Sequence, residues 1–301
     1  MPLTQVLKEG HQGLARVVCL FGGAIWGLYW IPLRELDAAG IVGVWATGAF
    51  HLIPLALLIP IAFFRRQYWR DGGLPLQATG AAMGLAILLY STAFLYTDVV
   101  RALLLFYLNP IWGALLARFW LKEEITLDRM IGIAFGLTGM VILLKIDHGI
   151  PWPQGAGDWL ALGSGLAWAV SATLTRRYPK LRTVDIVGGW FIWAAIFTVI
   201  AGSLFTEPSA LPALGAFADV LIWLAPLSLL LVLPTYLGIT WGLPQLNPGT
   251  SGLLFMTELS VGAVSAALLT NEVFGLRETL GILFISFAAL AEVILPLFRR
   301  R

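Results

Sequence analysis

Glu258 is the residue whose type and position carry the most chemistry. It stands about halfway along the apolar run GTSGLLFMTELSVGAVSAALLT at positions 249–270. A charged side chain at the centre of a hydrocarbon layer costs roughly 2.5–3.5 kcal/mol on insertion scales, so such residues turn toward a cavity or a partner. Removal from water favours the neutral acid unless a cation stands beside it, which makes Glu258 a candidate for proton or cation coupling and for binding an ammonium group. The structural alternative is a protonated acid that hydrogen-bonds a neighbouring helix. His51, mid-way along another apolar run, is the candidate coupling partner, or it bonds a carbonyl of its own helix. Asn109 precedes Pro110 at the equivalent depth of a further run. There the proline withholds one backbone donor and frees an upstream carbonyl, which a substrate, water or a neighbouring side chain could satisfy. Trp26, Trp30, Tyr90, Tyr107, Trp112, Trp168 and Tyr236 also lie deep in apolar runs. Aromatic rings beside a carboxylate suit an ammonium-bearing ligand, at ~0.5–2 kcal/mol per cation–π contact, whereas each ring alone is accounted for by helix packing. No metal or cofactor is expected: Cys19 is the only cysteine and no H-E-x-x-H occurs.

The elements that position these residues are set by composition. Hydrophobic residues make up 59% of the 301 and charged residues 12%, against roughly 25% charge in a soluble domain. The charges cluster between apolar runs of about 20 residues, each long enough as a helix to cross a hydrocarbon core of roughly 30 Å. The pattern predicts an all-α integral membrane protein with ten transmembrane helices near 14–33, 40–64, 75–96, 99–121, 128–146, 156–176, 184–205, 217–241, 247–270 and 275–297. With the N-terminus inside, fourteen Lys and Arg fall on inner segments and four on outer ones, Arg118 being left uncounted of the nineteen. Positively charged loops stay on the cytoplasmic side, so both termini are expected in the cytoplasm, with the lipid bilayer as the chain's surroundings. Formal net charge is +2 and no long basic run suggests nucleic acid. Oligomeric state carries no signature in the sequence.

The chain repeats itself. GGAIWGLYWIPLRE at 22–35 aligns with SGLAWAVSATLTRR at 164–177, pairing Gly23 with Gly165 and Trp26 with Trp168. LNPIWGALLARFWLKEEITLDRMIGIAFGLTG at 108–139 aligns with TELSVGAVSAALLTNEVFGLRETLGILFISFA at 257–288, pairing Gly113 with Gly262, Glu123 with Glu272 and Gly132 with Gly281. Each half holds five predicted helices. An odd number makes the second half enter from the opposite face, giving a 5+5 inverted-topology repeat, a plan used by carriers that alternate access around a midplane site. The expected division is a cytoplasmic segment 1–13, repeats at 14–146 and 147–298, and a basic tail 299–301.

The GAIWG string, the segment PIWGALLARFWLKE from Pro110 to Glu123, and the glycines Gly132, Gly136 and Gly139 resemble the drug/metabolite transporter superfamily in its EamA type. The resemblance covers nearly the whole chain. It implies a ten-helix inverted fold in the inner membrane of a bacterium, carrying amino acids, amines or other metabolites, often outward, through a central cavity. The second half departs from the pattern, with Leu259 where Pro110 stands and Glu258 opposite Asn109.

Remaining features have structural explanations. Trp45, Trp69, Trp152 and Trp159 near run ends fit an interfacial belt. Arg118 and Glu292 extend toward water, Asp98 is expected to cap the fourth helix, and Arg101 is a candidate to steer a carboxylate at the outer mouth. Gly23 with Gly27, Gly80 with Gly84, Gly132 with Gly136 and Gly238 with Gly242 are small-xxx-small pairs for close helix approach, and the eighth run carries a proline break at Pro234. The string Gly155-Ala-Gly-Asp158 resembles that of aspartyl intramembrane proteases, but no second mid-span aspartate forms the shared-proton pair, and helix capping explains Asp158. No filter-like loop marks a channel. A phosphorylated or nucleotide-linked sugar as substrate would want several buried Arg or Lys, and the runs hold almost none. The sequence therefore reads as a secondary transporter of small zwitterionic or cationic metabolites.

Overall fold

The computed structural model describes residues 11–41, 43–93, 96–97, 99–125, 127–143, 153–205, 212–269 and 275–298. Asp98, Trp152 and Glu272, the side chains of Arg101 and Glu292, and the segments 1–10 and 299–301 lie outside the described residues. Every regular element among the described residues is helical. In chain order the α-helices are α1 (Gln12–Trp26), α2 (Trp30–Ala38), α3 (Val44–Phe64), α4 (Arg66–Ala93), α5 (Val99–Phe106), α6 (Asn109–Leu116), α7 (Leu127–Leu143), α8 (Ala156–Arg177), α9 (Thr183–Phe205), α10 (Leu214–Leu227), α11 (Leu233–Gly242), α12 (Pro248–Phe255), α13 (Thr257–Leu269) and α14 (Leu276–Phe298), with short π or 3-10 turns at Ala117–Leu121, Ser228–Val232 and Leu243–Gln245.

Five stretches among the described residues are long and apolar enough to cross a membrane: Gln12–Leu36, Val44–Phe64, Arg66–Ala93, Thr183–Leu204 and Gly215–Gln245. Their outward faces are apolar too, with Phe64 at 81% and Ile222 at 85% exposure. A surface of that kind matches lipid rather than water. In α4 the backbone turns at Gly73, at φ +45°, a conformation that costs glycine little. The turn separates the basic, aromatic stretch Arg66–Gly72 from the apolar remainder.

Several helices are interrupted, and the interruptions have identifiable causes. Pro110 opens α6 after a turn at Tyr107 and Leu108. A π-helical turn, Ser228–Val232, joins α10 to α11, whose second residue is Pro234. Between α12 and α13 the break falls at Met256 without any proline, although Leu259 replaces the proline of the first half. Hydroxyl groups take over the ladder there: the single proton of Thr257 Oγ1 is shared between the Leu254 carbonyl at 3.0 Å and that of Leu20 at 2.8 Å. Tyr107 Oη donates to the Phe255 carbonyl at 3.1 Å.

Close approach at glycine locks the interrupted helices to unbroken ones. A Cβ on Gly165 of α8 would stand 2.5 Å from the Phe106 carbonyl oxygen, and one on Gly23 of α1 would stand 3.0 Å from the Phe255 carbonyl oxygen. Phe106 and Phe255 hold the same place in the two copies of the repeat, as do Gly165 and Gly23. The carbonyl freed by Pro110, that of Phe106, is thus covered by a glycine backbone. Elsewhere a Cβ on Gly80 would meet the Gly189 backbone at 2.8 Å, and one on Gly139 the Gly281 carbonyl at 2.6 Å.

Candidate functional site

The break at Met256 puts Glu258 in the first turn of α13, where helix dipoles favour a carboxylate. Glu258 is buried at 7% exposure. Tyr90 of α4 donates its hydroxyl to Glu258 Oε1 at 2.7 Å, and Tyr107, in the turn between α5 and α6, donates to Oε2. The same Tyr107 hydroxyl lies at the Phe255 carbonyl. A phenol carries one proton, so the arrangement has two complementary states. With Glu258 ionised, both tyrosines donate to it. With Glu258 protonated, the acid donates to Tyr107 and Tyr107 donates to Phe255. The site can therefore take up and release one proton without leaving a buried donor unpaired.

A cavity of about 30 Å³ opens beside the acid, lined by Trp26, Tyr29, Tyr90, Trp168, Tyr236 and Glu258 among others. A water needs roughly 10–15 Å³ on this measure, so the space holds one or two waters, and a metabolite requires the walls to part. Among the described residues no Lys, Arg or His lines it. Trp26 and Trp168, equivalent in the repeat, meet edge to face with ring centroids 5.0 Å apart. Trp26 also packs against Tyr236 at 5.8 Å and against Phe255 at 5.6 Å.

Of the residues singled out in the sequence, Trp26, Tyr90, Trp168, Tyr236 and Glu258 share this cavity, and Tyr107 holds the acid in place. The others stand apart from its lining. Trp30 Nε1 donates to Ser265 Oγ at 3.0 Å, with Arg34 over the indole at 4.6 Å. Asn109 is buried with neither side-chain oxygen nor nitrogen hydrogen-bonded, and a Cβ on Gly252 would stand 2.6 Å from its Oδ1. The indole nitrogen of Trp112 is likewise buried and unpaired. His51 bonds the Thr47 carbonyl through Nδ1 at 2.7 Å and packs between Phe191 at 4.9 Å and Tyr236 at 6.0 Å. Both oxygens of Glu258 are taken by tyrosines, not by this imidazole. Sequence reasoning missed Tyr29 and Phe106 in the lining. Tyr29 follows Trp26 by three residues, the spacing that puts side chains on one helix face, and that signal was available.

Polar clusters tie the helices together away from the cavity. Arg176 donates through Nε to Glu123 Oε1 at 2.5 Å and through a guanidinium nitrogen to the Pro244 carbonyl at 2.9 Å. Asn247 Nδ2 donates to the second Glu123 oxygen. Arg65 makes a two-pronged bond to Asp185 at 2.7 and 2.5 Å. Asp158 accepts from the Thr97 hydroxyl at 2.7 Å and the Gln154 amide at 2.8 Å. It lies in the first turn of α8, whose N-cap is Gly155, so it secures that end from inside the helix.

Comparison with known proteins agrees with these features. Residues 14–145 match the EamA-like transporter family. The chain is 28% identical over 122 residues to "Uncharacterized transporter YyaM" of Bacillus subtilis (strain 168), covering 40% of each chain. It is 26% identical over 181 residues to the "Riboflavin transporter" of Rhizobium johnstonii, covering 58% of this chain and 56% of that one. The matches thus span about half the length of these curated relatives. A solved crystal structure shares the fold with a TM-score of 0.69 at 19% identity, over 93% of this chain and 98% of that one. The matched family's description and both relatives' names are those of transporters. Residues 14–145 of this integral membrane protein, helical in every regular element of its described residues, are thus similar to the EamA-like transporter family, in keeping with the drug/metabolite transporter superfamily its sequence resembles.

Proposed function

We propose that this protein is a secondary transporter that moves a small cationic or zwitterionic metabolite, an amine or amino acid, by alternating access, with Glu258 as the group that meets both the substrate and the coupling proton. The observation that carries the reading is a buried carboxylate whose two oxygens are held by tyrosine hydroxyls at the wall of an aromatic cavity. Ammonium groups are attracted to aromatic faces and to carboxylates alike. A phosphorylated substrate is disfavoured, because no cation lines the cavity.

In this reading α1 to α14 group into ten spans, five from residues 14–146 and five of opposite topology from 147–298, in a bacterial inner membrane with both termini cytoplasmic. What supports the inverted repeat is the exchange of equivalent contacts. Gly23 lies on Phe255 while Gly165 lies on Phe106, the helix breaks at Tyr107–Leu108 and Met256 correspond, and Trp26 meets Trp168. The direction follows the family resemblance, as an exporter or exchanger. A second reading, a flat aromatic heterocycle stacked among the indoles, is favoured by the ring density around Trp26 and by the relative named as a riboflavin transporter.

The test is flux into proteoliposomes. Labelled quaternary amines, amino acids and riboflavin are offered under an imposed pH gradient. Saturable uptake of an amine or amino acid with counterflow is expected from the wild type, with at least a tenfold loss in Glu258→Gln. Full pH-dependent counterflow in Glu258→Gln refutes the role of the acid, and uptake restricted to riboflavin selects the second reading.

A further inference from the structure

A second, larger cleft of about 240 Å³ adjoins the Glu258 cavity, and Trp26, Tyr29 and Tyr236 belong to the walls of both. Beyond those three rings its lining is almost entirely apolar, with Phe50, Leu227 and Val232 inside and Leu28 and Leu231 at the rim, 41% and 40% exposed. One wall is the π-helical turn Ser228–Val232, a geometry that recurs at functional sites. At the junction of the two spaces the Tyr29 hydroxyl is buried without a hydrogen-bond partner. Such a group costs roughly 1–3 kcal/mol until something pairs with it.

We propose that this cleft is the second half of the substrate site and receives the apolar portion of an elongated amine whose cationic head lies at Glu258. The proposal rests on the amine reading above and extends it to the shape of the substrate. The small cavity suits a compact charged head and nothing longer. The cleft has the converse properties: an apolar cavity of about 150 Å³ accommodates a benzene ring, so this one takes a ring or a short chain. Continuity through three shared rings favours one ligand spanning both spaces over an unrelated guest. Tyr29 would then pair with the ligand, or with a water it carries, at the point where head meets tail. The rim at Leu28 and Leu231 is exposed, so in a membrane-embedded bundle the tail would border the bilayer.

The experiment is a head-constant series of tetramethylammonium, butyltrimethylammonium and benzyltrimethylammonium, with binding read by tryptophan fluorescence on purified protein. Each buried methylene adds about fourfold in affinity, the equivalent of about 0.8 kcal/mol. Butyltrimethylammonium is therefore expected to bind at least tenfold more tightly than tetramethylammonium. In Leu231→Trp, which fills the rim, the ratio of the two affinities is expected to fall toward one. Leu28→Trp, on the opposite rim, serves the same purpose should the first variant not fold. Equal affinities across the series in wild type, or a ratio unmoved by both variants, overturn the subsite while leaving the amine reading intact. Absence of binding by every amine, with Glu258→Gln silent, overturns both.

Discussion

Adding one methyl group at Gly165 tests how the interrupted helices are held. A Cβ there would stand 2.5 Å from the Phe106 carbonyl oxygen and 3.2 Å from its carbon. A carbon–oxygen contact of this kind settles near 3.3–3.6 Å, so the two backbones must separate by about 0.8 Å or more. The obstacle is main chain at the last residue of α5, just before the turn that Pro110 follows, with no side chain to rotate away. Overpacking of this sort costs roughly 1–3 kcal/mol. Alanine also gains up to ~1 kcal/mol over glycine in a helix interior, which blurs the result for a single variant. Gly163→Ala removes that ambiguity: it lies in the same helix, and its Cβ would meet nothing nearer than Leu89 Cδ1 at 3.5 Å. The propensity gain is common to both variants, so the difference between them isolates the clash. The assay is reversible denaturation of purified protein in mixed micelles, followed by tryptophan fluorescence. Gly165→Ala is expected to be less stable than Gly163→Ala by about 1–3 kcal/mol. Equal stability would refute the close backbone contact and, with it, the account of how the carbonyl freed by Pro110 is covered.

Two further outcomes follow from burial. Both partners of the Arg176–Glu123 pair are 27% exposed, so Arg176→Gln is expected to lower stability by no more than about 1 kcal/mol; a loss above about 3 kcal/mol in the same denaturation assay would show that the cluster carries the fold. Cys19 is fully buried and unpaired, and it is expected to stay unreactive toward a membrane-permeant maleimide in the native protein and to label fully after unfolding. Rapid native labelling, read by mass shift, would contradict the packing of α1 against Gly242, where a Cβ would lie 2.9 Å from the Cys19 sulfur.

The candidate site was only partly legible in the sequence. Glu258, Trp26, Tyr90, Trp168 and Tyr236 could be selected because a polar or aromatic residue in the middle of an apolar run stands out against its neighbours. Tyr107 could be selected on the same ground, but not its role: its hydroxyl reaches across 151 residues to Glu258. Trp30 and Trp112 looked identical to Trp26 by depth, yet they lie outside the cavity, because depth along a helix says nothing about which way its face is turned. The break before Glu258 was also hidden. A proline announces its break in the sequence, whereas the one at Met256 depends on hydroxyls from Thr257 and from the distant Tyr107.

What the sequence determined by itself is whatever depends on local physics: helical apolar segments, their association with a bilayer, the repeat, and the presence of one acid at mid-depth. Hydrocarbon leaves the backbone little choice but to satisfy itself within each helix, so composition and run length suffice for those conclusions. Only the tertiary structure decided which rings surround Glu258, that its cavity is small, and that an apolar cleft adjoins it. Those facts arise where helices cross, and the crossings are set by glycine backbones meeting carbonyls far away along the chain, as at Gly23 with Phe255, a relation that no local pattern encodes.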